Sequence, residues 1–377
     1  MHSKEAPRRD VTVYPLIFHP IFKPRIWGGR RLETRLNRPL PAGAMIGESW
    51  ELADLEDDRS VVARGPDRGK TITQMLETWG DALIGRAQLA AGRFPLLIKF
   101  LDAREPLSVQ VHPDEQTAQR MGGGTRLKNE AWYVVEADDD ACIYRGLQTG
   151  VGLDGLRNAV EAGRVEQVLN RIPARKGHCY YLPSGTVHAL GGGVLVAEVQ
   201  TPSDTTFRIY DWNRVDGATG MPRPLHVDEA LACVSTNPVP SEAERPQHVA
   251  SVWTSVTHLI RCPSFLIDRV RMVAGAAQPI PTQEMAVWIV LDGRGSIRCE
   301  GLKEPVGFAP GDTVLLPAGL AHGLVESAEN TMWLEVSVPI ESSLAGVEHL
   351  RPEALREVQQ PGSGMVSLGV PKPSGTE

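Results

Sequence analysis

One spacing occurs twice in the chain and limits its fold more than any other feature. The strings that begin at Gly177 and Gly311 both read G-x5-P-x-G-x2-H, and they end at His188 and His322. Each string is typical of a strand, a turn set by proline and glycine, and a second strand that begins near the histidine. Self-similarity of this kind indicates one β unit that is present in two copies.

The rest of the chain also reads mostly as short β segments separated by glycine and proline, for example LLIKFLDA, AWYVVEA, GVLVAEVQ and MAVWIVLDG. This pattern predicts a mainly β protein built from barrels or sandwiches. Few helices are expected. Thr71 and Gln74 have the spacing of a capping box, and apolar residues follow it with a helical period. Those residues are Ile72, Met75, Leu76 and Trp79.

Composition excludes several classes of protein. The 377 residues carry a formal net charge of −7 with no basic stripe, which argues against binding to nucleic acid. Five cysteines are scattered without a CxxC pair, which is typical of a reducing compartment rather than of a disulfide framework. No apolar run approaches the roughly 18 residues of a membrane span. We therefore expect a cytoplasmic protein without a membrane partner.

Polar residues in three predicted strands suggest a metal site. In the string SVQVHP, Ser108, Gln110 and His112 share one face of a strand because side chains alternate with a period of two. Glu130 and His188 lie at the starts of two further strands. A ligand set of imidazole, carboxylate and amide groups without cysteine is typical of a catalytic rather than a structural metal site.

Longer strings carry a resemblance to known proteins. The repeated spacing is similar to the second motif of the cupin superfamily, a small jelly-roll barrel that holds a metal in its mouth. The strings FPLLIKFLDAREPLSVQVHPD, KNEAWYV, LPSGTVHAL and AEVQTPSDTTFRIYDWNR, with PRIWGG and IGESWEL near the N-terminus, resemble the type I phosphomannose isomerases in their short bacterial form. The resemblance spans about residues 15–340. It implies two cupin barrels with a few inserted helices.

The resemblance also implies an activity and a cofactor. Members of this family interconvert D-mannose 6-phosphate and D-fructose 6-phosphate, so the expected reaction is a zinc-dependent aldose–ketose isomerisation through an enediol or enediolate. The substrate would be a phosphorylated hexose, and one Zn²⁺ ion per chain would be the cofactor. The ligands carried over from the family are Gln110, His112, Glu130 and His188.

Further residues are assigned through the same strings. Arg208 in FRIYDWNR and Glu198 in AEVQ match family positions in the active site, and both are predicted to be catalytic. Glu198 is a chemically natural base, whereas Arg208 is suited to stabilising an anion, and the identity of the base stays open. Ser108, Lys99 and Lys128 are predicted to bind substrate, with donors that suit a phosphate dianion.

The expected domain layout follows from these strings and from composition. Residues 1–14 form an N-terminal tail, and residues 15–235 form the metal-binding cupin domain with helical insertions at about 71–88 and 152–172. A linker spans residues 236–250. A second cupin domain without the ligand set spans residues 251–340, and a C-terminal tail spans residues 341–377.

Two other functions fit the same residues. One is isomerisation of another, possibly unphosphorylated, sugar on the same scaffold. The other is a non-catalytic sugar-binding cupin, which would not need Glu198 and Arg208 beside an intact metal set. A cupin dioxygenase is disfavoured because this chain has Q-x-H where such enzymes often carry H-x-H. The sequence leaves the oligomeric state open.

Overall fold

Strands dominate the computed structural model, which describes residues 12–215, 220–240, 242–281 and 283–340. The predicted C-terminal tail and most of the predicted N-terminal tail lie outside these residues. In the first half of the chain the strands are β1 Leu16–Ile17, β2 Ile21–Gly29, β3 Ile46–Leu52, β4 Leu97–Ala103, β5 Val109–Val111, β6 Glu130–Ala137, β7 Cys142–Leu147, β8 Leu169–Pro173, β9 Cys179–Leu182, β10 His188–Leu190, β11 Val194–Gln200 and β12 Phe207–Tyr210.

The second half continues with shorter connections. Its strands are β13 Gln247–Ala250, β14 Thr254–Arg261, β15 Leu266–Met272, β16 Ala277–Pro279, β17 Ala286–Asp292, β18 Gly295–Arg298, β19 Val306–Phe308, β20 Thr313–Leu316, β21 Leu324–Ser327 and β22 Thr331–Ser337. The last four residues of the predicted linker thus form the edge strand β13.

The helices are few and short. They are α1 Arg31–Leu36, α2 Ile72–Trp79, α3 Asp81–Ile84, α4 Glu115–Met121, α5 Leu153–Glu161 and α6 Val227–Cys233, with a 3-10 helix at Val165–Val168. The capping box of α2 is present as predicted, with Thr71 and Gln74 each bonded to the backbone of the other. No helix in the described ranges is both long and apolar enough to cross a bilayer.

The described part of the chain forms four antiparallel sheets. One has five strands in the order β12-β5-β10-β7-β8, and one has six in the order β2-β3-β4-β11-β6-β9. A seven-stranded sheet, β1-β20-β17-β22-β15-β14-β13, and a four-stranded sheet, β16-β21-β18-β19, complete the set. The prediction of a mainly β, cupin-like fold is confirmed.

Apolar cores separate the sheets into layers. Leu101, Trp132 and Ile143 belong to the core between the six- and five-stranded sheets. A second core between the seven- and four-stranded sheets includes Val290 and Phe308. A third and larger core joins the outer faces of the six- and seven-stranded sheets. Because both its faces are covered, β11 is buried along its whole length.

The N-terminal strand β1 pairs with the second half of the chain. Leu16 lies opposite Leu315 and Ile17 opposite Val314, which places β1 at the edge of the seven-stranded sheet. This pairing gives the backbone groups at the edge of β20 a partner. The sequence pattern did not reveal it, since a two-residue strand carries no periodic signal.

The internal repeat is visible in the side chains. In the first half, the Trp132 indole donates a hydrogen bond of 2.8 Å to Glu198 on the adjacent strand. In the second half, the Trp288 indole donates one of 2.8 Å to Glu335, again across a strand pair. The two copies differ on the other side of the glutamate. Lys99 lies opposite Glu198 on the neighbouring strand, whereas an aspartate lies opposite Glu335.

A buried arginine anchors the segment between the two halves. Arg145 on β7 is 1% exposed. Its guanidinium group donates to the backbone oxygens of Tyr181, Pro240 and Glu242 and to the Glu244 carboxylate, at 2.5 to 3.0 Å. The bonds to Pro240, Glu242 and Glu244 fix the chain after α6 against the first barrel, and the bond to Tyr181 ties β7 to β9.

Replacing this arginine should destabilise the protein. Arg145→Leu leaves three carbonyl oxygens and a carboxylate without their donor, and we expect it to lower the free energy of unfolding by about 3 kcal/mol. Urea denaturation at pH 7 measures this loss. Arg171→Leu, at an exposed position on the neighbouring strand β8, is the matched control and should change stability by less than about 0.5 kcal/mol. Equal effects of the two substitutions would contradict the anchoring role.

Candidate metal centre and active site

A cavity of about 480 Å³ lies between the inner faces of the six- and five-stranded sheets. Its walls are strongly polar, which is unusual for the interior of a small barrel, where side chains normally fill the space. Seven of the residues singled out in the sequence line it. They are Lys99, Ser108, Gln110, Lys128, Glu130, Glu198 and Arg208.

One row of the five-stranded sheet supplies three polar side chains. Gln110 on β5 lies directly opposite His188 on β10 and directly opposite Arg208 on β12. Residues paired in this way point to the same face of an antiparallel sheet. The amide nitrogen of Gln110 lies 3.3 Å from His188 Nε2.

Glu130 reaches the same place from the six-stranded sheet. Its Oε2 atom lies 3.3 Å from Nε2 of His112 and 3.2 Å from Nε2 of His188. All three side chains are at most 1% exposed. Their ligand atoms lie within 4.8 Å of one another, and they are the only such group of three in the described ranges of the chain. The cluster is therefore able to hold a metal ion.

Backbone contacts orient both imidazole rings. His112 Nδ1 lies 3.0 Å from the Thr205 carbonyl oxygen, and His188 Nδ1 lies 2.8 Å from that of Thr186. A carbonyl only accepts, so each Nδ1 carries the proton and each Nε2 presents its lone pair to Glu130. A hydrogen bond of this kind behind the ligand atom is characteristic of metal-binding histidines.

The ligand atoms do not satisfy one another by hydrogen bonding, but all of them could bind a cation. His112 Nε2 and both carboxylate oxygens of Glu130 are buried without a hydrogen bond of good geometry, although Lys128 Nζ lies 2.7 Å from Oε1. Lone pairs that face a carboxylate at 3.2 to 3.3 Å repel it unless positive charge lies between them. A divalent metal would remove this repulsion and satisfy all three orphaned atoms.

Protonation states agree with this arrangement. Burial, with the positive charge of Lys128, lowers the pKa of His112 to about 3, so the ring is neutral. Burial alone would raise the pKa of Glu130, but the attraction of Lys128 outweighs it and keeps the carboxylate ionised. Neutral imidazole and ionised carboxylate are the forms that bind metals.

A second row, on the six-stranded sheet, holds Lys99 between two carboxylates. Lys99 Nζ lies 3.2 Å from Glu198 Oε2 and 4.8 Å from the centre of the Trp50 ring. Burial would lower the pKa of Lys99, but Glu198 and Glu48 together raise it. Burial would likewise raise the pKa of Glu48, yet Lys99 and Arg25 lower it. The ammonium group is thus fully charged and faces two acids.

The pKa of Glu198 is shifted in the opposite direction to that of Glu48. Burial, aided by the negative charge of Glu130, raises the pKa of Glu198 despite the attraction of Lys99. A carboxylate with a raised pKa at a cavity wall is a common feature of catalytic acids and bases. Its other oxygen is held by Trp132.

No carboxylate in the described ranges forms an ion pair with the guanidinium group of Arg208. Nη1 donates to the Pro224 carbonyl at 2.9 Å, and Nε is buried without a partner among the described residues. In the structure its side chain lines the cavity.

Several cavity residues were not identified from the sequence. Arg25 and Glu48 stand in the strings PRIWGG and IGESWEL, which contributed to the resemblance but received no role. Asp204 and Thr206 precede Arg208 in a recognised string. Arg223 lies outside every recognised string, so no sequence signal pointed to it.

Comparisons with known proteins agree on one family. Residues 16–139 match the family model for the phosphomannose isomerase type I catalytic domain. A mannose-6-phosphate isomerase of Bacillus subtilis is 35% identical over 316 residues, which cover 84% of this chain and 97% of the relative. One from Streptococcus mutans is 32% identical and covers 80% of this chain and 92% of the relative.

Solved structures give the same result for the fold. The crystal structure of the mannose 6-phosphate isomerase from Bacillus subtilis superimposes with a TM-score of 0.78 at 29% identity, and covers 86% of this chain and 99% of that one. A putative mannosephosphate isomerase from Archaeoglobus fulgidus has a TM-score of 0.67 at 19% identity, with coverage of 88% and 100%, and shares the fold. The resemblance found in the sequence is confirmed, and the chain belongs to the type I phosphomannose isomerase family of enzymes.

Proposed function

We propose that this protein interconverts D-mannose 6-phosphate and D-fructose 6-phosphate with one zinc ion per chain. The observation that carries the proposal is the meeting of three buried ligand atoms, from His112, Glu130 and His188, of which Glu130 lines the polar cavity. The relatives named as mannose-6-phosphate isomerases cover nearly the full described length of the chain, which supports this substrate.

Zinc suits the available donors. Two neutral imidazoles, one carboxylate and the Gln110 amide make a mixed nitrogen and oxygen set without thiolate, which is typical of catalytic zinc. A 180° rotation of the Gln110 side-chain amide exchanges its nitrogen and oxygen atoms. Gln110 can therefore present its oxygen to the metal without moving its backbone. When bound, zinc would act as a Lewis acid that stabilises negative charge on the sugar oxygens.

The proton transfer is assigned to Glu198. Isomerisation moves a proton between C1 and C2 of the open-chain sugar through an enediol or enediolate, and one base serves both carbons. Glu198 has the raised pKa that such a base needs, and Trp132 and Lys99 hold its two oxygens in place. Arg208 lines the cavity and has no partner for its Nε among the described residues, and we assign it to stabilising the anionic intermediate.

Lys99, Lys128 and Ser108 complete the substrate site. Lys128 lines the cavity; its ammonium group donates to Glu130 and, at 3.4 Å, to the Thr206 hydroxyl, which leaves one of its three donors for substrate. Ser108 precedes β5 and is buried at the cavity wall. We assign these three side chains to the hydroxyl and carbonyl oxygens near the reacting carbons.

An assay of the conversion of mannose 6-phosphate to fructose 6-phosphate tests the proposed function. Purified protein should form fructose 6-phosphate, measured by enzymatic coupling to glucose 6-phosphate and reduction of a nicotinamide cofactor. Activity should disappear after treatment with a chelator and return with stoichiometric zinc. Unphosphorylated mannose should react far more slowly. Faster turnover of the free sugar would favour the alternative isomerase, and no turnover of any hexose would favour a binding protein.

Metal binding has a readout that is independent of activity. Binding to the native state alone stabilises it by about 2.7 kcal/mol at a free zinc concentration 100-fold above Kd, so zinc should raise the melting temperature of chelator-treated protein by roughly 5 °C. His188→Ala should abolish this shift because it removes one ligand. His322→Ala changes the equivalent histidine of the second string, which is exposed, and should leave the shift intact. A full shift in His188→Ala would place the ion elsewhere.

The role of Glu198 predicts a pH profile. A base acts only when unprotonated, so kcat/KM should fall as pH decreases through the pKa of Glu198, and the raised pKa places this fall above the ordinary glutamate value of about 4.3. Glu198→Gln should lower kcat by about 10²- to 10⁴-fold with zinc retained. Glu335→Gln, the equivalent change in the second barrel, is the control and should preserve both rate and profile. A wild-type rate in Glu198→Gln would remove this residue from proton transfer.

A further inference from the structure

The turn at residues 183–186 joins β9 to β10 and is bonded to two of the candidate metal ligands. The Gly185 amide donates to the His112 carbonyl oxygen at 2.8 Å. The Thr186 carbonyl oxygen accepts the hydrogen bond of 2.8 Å from His188 Nδ1. A displacement of this turn therefore moves the backbone of one histidine and the ring of the other.

Asn129 connects the same turn to the third ligand. It immediately precedes Glu130, and its Oδ1 atom accepts a hydrogen bond of 2.9 Å from the Ser184 amide. Thr201 holds the backbone of Asn129 from the other side, since its amide donates to the Asn129 carbonyl at 3.1 Å and its hydroxyl accepts from the Asn129 amide at 3.2 Å. Asn129 is 9% exposed, so these bonds are shielded from water. All three ligand segments are thus bonded to one turn.

The side chain of Asn129 also reaches the second half of the chain. A backbone amide only donates, so the bond from Ser184 fixes which way the Asn129 amide points. Its Nδ2 atom then donates to Ser264 Oγ at 3.0 Å, in the turn between β14 and β15. The next residue, Phe265, is fully buried and contacts the Tyr181 ring on β9 edge-on. The Ser264 hydroxyl is therefore presented to Asn129 from a fixed position.

The equivalent turn of the second string is held in another way. Ala318 stands where the first string has Ser184, and its amide donates to the Leu83 carbonyl at 3.0 Å. The Gly319 amide donates to the Ala82 carbonyl at 2.8 Å. Both acceptors belong to the main chain of α3. Main-chain carbonyls thus hold the turn of the barrel that lacks the ligand set, whereas in the first barrel a side chain next to a ligand accepts the corresponding bond.

The spacing of the ligand atoms already suits a bound ion. With metal–ligand bonds of about 2.0–2.1 Å, the ligand atoms of a tetrahedral site lie about 3.3 Å from one another. Glu130 Oε2 lies 3.3 Å from Nε2 of His112 and 3.2 Å from Nε2 of His188. Hydrogen bonds behind the ligands preserve such a spacing, and their loss typically costs about 10- to 100-fold in metal affinity.

We propose that Asn129 is a positioning residue that fixes Glu130 relative to the two histidines, and that Ser264 of the second barrel holds Asn129 in place. The inference rests on the proposed function, which supplies the zinc ion. Neither Asn129 nor Ser264 is among the described residues that line the cavity. Both therefore act through the segments that they hold and not by contact with substrate. The second barrel, which has no ligand set of its own in the described ranges, thereby contributes to the metal site of the first.

The zinc dissociation constant of Asn129→Ala tests the positioning role. Competition with a chromophoric chelator of known affinity measures this constant without reference to turnover. We expect Kd to rise by about 10- to 100-fold, because the Ser184 amide loses its acceptor and the turn is released. At saturating zinc, kcat for mannose 6-phosphate should fall by about tenfold while KM changes by less than about threefold, because no substrate contact is removed.

Asn170→Ala is the matched control. Asn170 on β8 also donates from its side-chain amide to main-chain carbonyls of the first barrel, those of Arg145 and Leu147, and it lies outside the cavity. This substitution should lower the urea midpoint of the metal-free protein as Asn129→Ala does, yet leave the zinc Kd unchanged. An unchanged Kd in Asn129→Ala, or an equal rise in Asn170→Ala, would overturn the proposal.

Ser264→Ala tests the contribution of the second barrel and leaves the Asn129 side chain and the turn in place. We expect the zinc Kd to rise by about three- to tenfold, the equivalent of one hydrogen bond. The double variant with Asn129→Ala should bind zinc as Asn129→Ala does alone, because Ser264 acts through Asn129. Wild-type affinity in Ser264→Ala, or effects that multiply in the double variant, would contradict this route. Wild-type protein that binds no zinc would instead overturn the proposed function.

Discussion

The buried carboxylate of Glu130 is the group on which the first barrel's interior depends. It faces the lone pairs of His112 and His188 at 3.3 and 3.2 Å, and Lys128 Nζ lies 2.7 Å from its other carboxylate oxygen. An ionised carboxylate in such a place is costly unless it is paired or bound to a metal. The surrounding carbonyl contacts, which fix the tautomer of each ring, show that the arrangement is built to present acceptors to a cation.

The layered architecture allows the interior of the first barrel to be polar without loss of stability. The outer face of the six-stranded sheet packs against the seven-stranded sheet in a large apolar core, so the sheet is stable without filling its inner face with apolar side chains. Alternation along β11 shows the division directly, because Leu195, Ala197 and Val199 enter that core. Glu198 and Gln200 face the other way, toward the cavity side. The side chains that pack in the apolar core and the polar side chains on the cavity side therefore occupy opposite faces of one strand.

The two barrels share one hydrogen bond but differ in the charges beside it. Both contain a tryptophan that donates to a glutamate on the adjacent strand, Trp132 to Glu198 and Trp288 to Glu335. In the first barrel Lys99 lies opposite the glutamate, whereas in the second Asp268 does. Burial and the negative charge of Asp268 raise the pKa of Glu335, and no cation from the described ranges contributes to lowering it. The second copy thus keeps the hydrogen bond and lacks the charge pattern of the site.

Short-range sequence patterns were sufficient to predict the fold class, the repeated β unit and the position of α2. Strand periodicity placed Gln110 and His112 on one face, a repeated spacing revealed two β units, and capping residues located α2, because each of these depends on neighbours along the chain. The fold class and family followed from such strings. The pairing of β1 with β20, the place of Lys99 between two acids and the meeting of Arg25 with Arg223 were decided only by the tertiary structure. Contacts between distant segments depend on which faces of the sheets pack together. Local sequence patterns do not specify that packing.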